Sequence, residues 1–211
     1  MTQHIHKHTL MAAFALAVLL FCPCLRATST LEITSVYSWS YTDSWGETVV
    51  PGPYQATVDA TRNLLIYCMD LHIATPLGQV FSGYLTHPQT ANEEEAAFLA
   101  AYSLTLGAPD GSATAVQSYE GPISMAIWQL MGTLGTTKQD ANAQPFVLMA
   151  QNAYTSGKIT PAFLSTMYIW NPSTAGAEQR FLFSQTPEPG TMVFLGSGLV
   201  LVAFSRIRRR R

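Results

Sequence analysis

Two apolar runs, Leu10–Phe21 and Thr191–Ser205, stand near opposite ends of the 211-residue chain and confine any globular core to the stretch between them. The first follows a polar start containing Lys7 and precedes Arg26-Ala27-Thr28-Ser29. That plan matches a secretory signal, and the run is too short to span a membrane comfortably. Residues 1–27 are therefore expected to be a signal peptide, cleaved after Ala27 or Ser29. His4, His6 and His8 would leave with it instead of binding a metal. A lipoprotein signal is disfavoured, because Phe21 and Pro23 precede Cys22 and Cys24 where a small residue is needed.

The second run follows Thr186-Pro187-Glu188-Pro189-Gly190 and is closed by Arg206, Arg208, Arg209, Arg210 and Arg211. As a helix, Gly190–Ser205 would reach about 24 Å against a bilayer core of roughly 30 Å. Snorkelling arginines and local thinning close part of that gap. The expectation is a single C-terminal transmembrane helix within the segment 186–211, with the arginines as a cytoplasmic basic anchor. A nucleic-acid-binding tail is disfavoured, because the arginines adjoin an apolar run.

Pro-Glu-Pro, a short apolar segment and a basic end, in that order, resemble the PEP-CTERM sorting signal of Gram-negative bacteria. The resemblance implies that an exosortase recognises Pro187, Glu188 and Pro189 and processes the chain after export by the secretion machinery. It also implies a transient stay at the inner membrane and a final place at the cell surface or in the extracellular matrix of a biofilm, with exopolysaccharide as a candidate partner. The physics is compatible: two prolines keep the segment extended and stop a helix from running through it.

The intervening residues 28–185 carry twelve acidic and only four basic residues, Arg62, Lys138, Lys158 and Arg180, for a charge of about −8. Binding nucleic acid by phosphate neutralisation is excluded on that balance. Once the signal is removed, Cys68 is the remaining cysteine, so no intramolecular disulfide forms. It is either a buried core thiol or a reactive one.

The coarse pattern is mixed. Leu31–Thr34 and Tyr37–Tyr41 alternate like half-buried strands, whereas Leu64–Met69 and Val80–Leu85 read as buried strands. Asp43 and Pro51-Gly52-Pro53 mark a loop. Three helices are predicted next. One starts at the capping box Thr90-Ala91-Asn92-Glu93 and presents Phe98, Ala101, Tyr102 and Leu106 on one face. Glu93, Glu94 and Glu95 then sit at the favourable end of its dipole. A second starts at Pro122, buries Ile123, Ala126, Ile127, Leu130 and Met131, and stops at Gly132. A third starts at Pro145, buries Phe146, Met149, Ala150, Ala153 and Tyr154, and stops at Gly157. Thr166–Trp170 and Arg180–Phe183 complete the pattern as β-like runs. The expected fold is α+β, with short β-strands flanking a three-helix segment in one exported domain, residues 28–185.

No catalytic motif is present: the chain has no Gly-x-Ser-x-Gly, Cys-x-x-Cys, His-Glu-x-x-His or phosphate loop. His72 beside Asp70 is the best acid–base pair on offer, and a structural role is favoured for it. Tyr67-Cys68-Met69-Asp70 and Ala126-Ile127-Trp128 resemble the paired motifs of thioester domains in bacterial surface adhesins. There a cysteine is acylated by a glutamine on the helix and captures a nucleophile. The glutamine position is Ser124 here, which has no side-chain amide. Gln117 lies before the helix, and Gln129 is turned about 140° from position 124. The resemblance therefore implies at most a relic thioester thiol at Cys68, with Asp70, Ser124 and Trp128 as motif-associated residues. The expected function is a non-enzymatic structural or binding role, without cofactor or metal. Trp39, Trp45, Trp170 and several tyrosines are candidate polysaccharide contacts, with a core role favoured for most of them. The alternatives are a covalent adhesin using Cys68 or a small secreted hydrolase.

Overall fold

The computed structural model describes residues 27–36, 40–71, 73, 75–106, 112–134, 139–176 and 178–185. Six strands close into an antiparallel barrel in the order β1 (Thr28–Ser35), β4 (Tyr54–Val58), β5 (Thr61–Cys68), β8 (Phe181–Ser184), β7 (Met167–Pro172) and β6 (Val80–Thr86), and β6 pairs back onto β1. A separate two-stranded ribbon joins β2 (Tyr41–Thr42) to β3 (Thr48–Val49). Between β6 and β7 the chain forms α1 (Ala91–Thr105), α2 (Ala113–Ala115), a π-helical turn (Val116–Glu120), α3 (Gly121–Leu130), α4 (Gln144–Thr155) and α5 (Pro161–Leu164).

This architecture corrects the expected fold class. The strands do not merely flank a helical segment but pair into a closed barrel, and the helices pack on one side of it. β4, hidden in the sequence behind Pro51-Gly52-Pro53, supplies the bridge between β1 and β5. The expected C-terminal transmembrane helix is not upheld either. No helix among the described residues is long and apolar enough to cross a membrane, and residues 186–211 lie outside them. The signal-peptide expectation, Tyr37, Trp39 and His72 also fall outside the described residues.

The register places one face of every strand inside the barrel. Leu31 stands opposite both Val58 and Phe81, Ile33 opposite Ala56, Ile66 opposite Phe183, and Phe181 opposite both Cys68 and Trp170. Residues directly opposite share a face, so these side chains fill the interior. The indole of Trp170, fully buried, crosses the barrel at Gly83, where a Cβ would strike Trp170 and the Asn171 carbonyl. A side chain larger than hydrogen cannot be placed there without moving the indole.

The outer face differs around the barrel. On β5, β7 and β8, the outward residues Tyr67, Ile169 and Leu182 are as buried as the interior, because α1 packs on β8, α3 on β5 and α5 on β7. On β1, β4 and β6, the outward residues Thr30, Gln55 and Ser82 are exposed.

The helices begin and end as local chemistry dictates. Thr90 Oγ1 accepts from Glu93 N, and Glu93 Oε2 accepts from Thr90 N, a complete capping box. Gly132 and Gly157 adopt φ values of 71° and 69° just beyond α3 and α4, where a left-handed residue ends a helix cheaply. The buried faces differ in detail from the expectation. α1 buries the small residues Ala96, Ala97, Ala100 and Ser103 with Leu99, leaving Phe98, Ala101 and Tyr102 half-buried and Leu106 exposed. Small residues let α1 approach α3 and α4 closely, so size instead of hydrophobicity selects the contact face. α3 buries nine of its ten residues, as an apolar helix enclosed on all sides must. α4 buries Val147, Ala150 and Ala153, with Phe146 and Met149 half-buried and Tyr154 exposed.

Candidate functional site

The residues that resemble the thioester motifs lie where β5 ends against α3. The Trp128 indole donates to the Cys68 carbonyl at 3.0 Å, and the Cys68 thiol donates to the Asp70 carbonyl at 3.1 Å. Thr133 Oγ1 lies 3.1 Å from the Trp128 carbonyl and 3.4 Å from the Met69 carbonyl, and Gln179 Nε2 donates to the Asp70 carbonyl at 2.8 Å. Side chains from α3 and from the approach to β8 thus serve the Cys68 and Asp70 carbonyls at the end of β5. Cys68, Asp70 and Trp128 come together as a clasp between barrel and helices.

Ser124 is engaged elsewhere. Its hydroxyl accepts from Gly52 N at 3.1 Å and contacts Gly52 O at 3.4 Å, pinning the loop before β4 to α3. The two glutamines are occupied as well: Gln117 Nε2 donates to the Ser40 carbonyl, and Gln129 Oε1 accepts from Gln144 Nε2. Cys68 is a free thiol with 3% exposure. Burial pushes it from its ordinary 9.0 up to about 12, against smaller lowering contributions from the Trp128 and Asp70 hydrogen bonds. A thiol of that kind holds its proton at neutral pH and is a poor nucleophile.

Asp70 also anchors a second feature. Its carboxylate receives Arg180 N at 2.8 Å, Arg180 Nη2 at 2.7 Å and Arg180 Nε at 3.1 Å. This fork-to-fork pair, half-screened from solvent, holds the guanidinium in one orientation, and the Asp70 hydrogen bonds raise the arginine's already high pKa. Beside the pair opens a cleft of about 220 Å³, lined also by Tyr84 and Asn171 from the outer face of β6 and β7 and by Glu178. Asn171 Nδ2 donates to Thr86 Oγ1 at 2.9 Å and to the Ile169 carbonyl at 3.1 Å, which fixes its carboxamide.

Sequence reasoning singled out Asp70 but missed Tyr84, Asn171, Glu178 and Arg180 as its neighbours. The available signal was scarcity: Arg180 is one of four basic residues in 158, and a rare cation within a β-rich run marks a fixed ion pair. Of the aromatic candidates, Trp170 is sealed in the core and Trp45 is 38% exposed on the β2–β3 ribbon. His87 is exposed, with Nδ1 2.8 Å from the Met167 carbonyl, and its ring lies tilted at 43° against Tyr168 with centroids 4.6 Å apart. Among the described residues, no cluster of His, Cys, Asp or Glu is of metal-binding size.

Pro187, Glu188, Pro189 and the arginines from Arg206 to Arg211 lie outside the described residues. Comparison with curated proteins and with solved structures returned no match. The family comparison did return one, and its placement is informative: β8 ends at Ser184, and Gln185 closes the domain through bonds from its backbone N to the Thr166 carbonyl and from Nε2 to Thr61 Oγ1. From that residue onward, positions 185–210 match the family model of the PEP-CTERM protein-sorting motif, and the chain carries the mark of an exosortase-targeted, exported protein.

Proposed function

We propose that the barrel domain is a non-enzymatic binding or structural module, delivered through exosortase processing to the cell surface or extracellular matrix, where it associates with exopolysaccharide. The observation that carries this reading is the sorting motif at residues 185–210, which begins where the barrel ends. Three features support it. The residues that resembled a reactive centre make structural bonds: Trp128 ties α3 to the Cys68 carbonyl, the Cys68 thiol bonds the Asp70 carbonyl, and Ser124 pins the loop before β4. The acidic surface charge, about −8 over residues 28–185, favours solubility outside the cell over contact with anionic polymers. The N-terminal apolar run supplies an export signal at the other end.

The covalent-adhesin alternative draws no support from the geometry, because Cys68 is buried and protonated and Ser124 is bonded to Gly52. To test the reading, Pro187, Glu188 and Pro189 are replaced together by alanine in the producing strain. The expected result is loss of the mature-size product and accumulation of precursor in the membrane fraction, with depletion from the matrix. Wild-type processing and matrix recovery in that variant would refute exosortase-dependent delivery.

A further inference from the structure

Resting on that matrix-associated reading, we propose that the cleft beside Asp70 and Arg180 binds one pyranose-sized unit of a neutral polysaccharide. Its volume of about 220 Å³ is too small for a drug-sized ligand and sufficient for a single ring. The cleft is open to solvent on the outer surface of the barrel, so a polymer can pass across it with one unit seated.

The walls fit a ring that has hydroxyls at its rim and C–H groups on its faces. Tyr84, half-buried on β6, supplies an aromatic surface, and Ile73 and Pro172 add apolar contact. Asn171 spends both amide hydrogens on Thr86 and Ile169, which leaves Oδ1 as the acceptor it can offer. Arg180 uses Nε and Nη2 on Asp70, and among the described residues Nη1 has no protein partner, so this donor is held in place without being consumed. Glu178 provides a second acceptor. Groups fixed in advance lose little entropy when they bind, which suits a weak, repeated sugar contact.

Charge decides the class of sugar. Asp70 offsets Arg180, and Glu178 leaves the cleft with an excess negative charge inside an acidic domain. A phosphate, sulfate or uronate would be repelled, whereas a neutral hexose unit would not. Another depression among the described residues, about 320 Å³ at the barrel mouth near Val36, Val50 and Leu77, is larger and also carries Tyr54, Thr75 and Gln179, but no charged side chain lines it to orient a ligand.

The test uses the mature protein purified from the matrix of the producing strain and that strain's own protein-free extracellular polysaccharide, separated by anion exchange into neutral and acidic fractions. Co-sedimentation should show saturable binding to the neutral fraction. Tyr84→Ala should weaken it about tenfold, the equivalent of one lost contact worth roughly 1.4 kcal/mol. Glu178→Gln, a conservative change at a half-buried position between β7 and β8, should weaken it several-fold while leaving the thermal unfolding midpoint unchanged. Leu77→Ser at the barrel mouth should leave binding intact. The cleft assignment is overturned if binding is confined to the acidic fraction, if both cleft variants bind like wild type, or if Leu77→Ser alone abolishes binding. Wild-type protein that is recovered in the matrix but binds neither fraction also overturns the cleft assignment alone. Absence of the wild-type protein from the matrix overturns the underlying reading as well.

Discussion

The two sides of the barrel share one interior but face different surroundings. On β1, β4 and β6 the outward residues meet water, and their sequences alternate between apolar and polar, as in Leu31-Glu32-Ile33-Thr34. On β5, β7 and β8 the outward residues meet helices, and alternation disappears: Ile66-Tyr67-Cys68 and Phe181-Leu182-Phe183 are buried at every position. An antiparallel sheet normally shows the first pattern, and a continuous apolar run signals a strand covered on both faces. The difference therefore reports where the helical layer sits, and it does so from sequence alone. What the pattern does not report is that both kinds of strand belong to a single closed sheet.

Substitution on the outward face should separate the two sides most strongly. Leu182→Ala removes a fully buried side chain beneath the helices and should cost about 2–5 kcal/mol, with Ser82→Ala on the open side within about 0.5 kcal/mol of wild type. Equal effects in urea titrations would mean that the helices do not press on β8. The clasp joining the covered side to α3 should come next. Trp128→Phe leaves the Cys68 carbonyl without its indole donor and also removes part of a buried ring, at a cost of about 1–3 kcal/mol. An unchanged stability would show that the clasp contributes nothing.

The smallest effect concerns pH. Cys68 is raised by burial from 9.0 to about 12, and Tyr41 by burial and its bond to Asp140 from 10.0 to about 12. Both groups bind their proton more tightly when folded than when unfolded. Their stabilising contribution is complete below about pH 9 and is lost as pH rises towards 12. Cys68→Ala should flatten this alkaline decline in part, and in the native wild type a thiol reagent should fail to label Cys68 at pH 8. Rapid native-state labelling would contradict a thiol enclosed by the clasp.

Local features were the most legible in the sequence. The Thr90–Glu93 capping box, the glycines after α3 and α4, and the strand segments at 31–34, 64–69 and 80–85 depend on neighbours within a few residues. The closed barrel depends on pairings such as Thr28 with Tyr84 and Cys68 with Phe181, which no local period encodes. The helix faces were misread for a related reason. Phe98 and Tyr102 are the more apolar candidates on α1, yet Ala96 and Ala100 form the contact because backbone approach to α3 required small side chains. The cleft was out of reach for the same cause: Asp70 and Arg180 are 110 residues apart, and Tyr84 and Asn171 come from two further strands. The sorting motif could be read because it is linear, recognised as a segment instead of assembled by folding.

The position of β8 between β5 and β7 has a consequence for the order in which the molecule is made. Every other pair of neighbouring barrel strands can meet before β8 emerges, but without these four residues β5 and β7 remain two unpaired edges of an open sheet. Closure of the seam therefore waits until nearly the whole domain has been synthesised, and the next residues to follow are the sorting motif. A chain interrupted before residue 181 presents sticky edges to its neighbours, while one that has reached Gln185 has none left in the barrel to present.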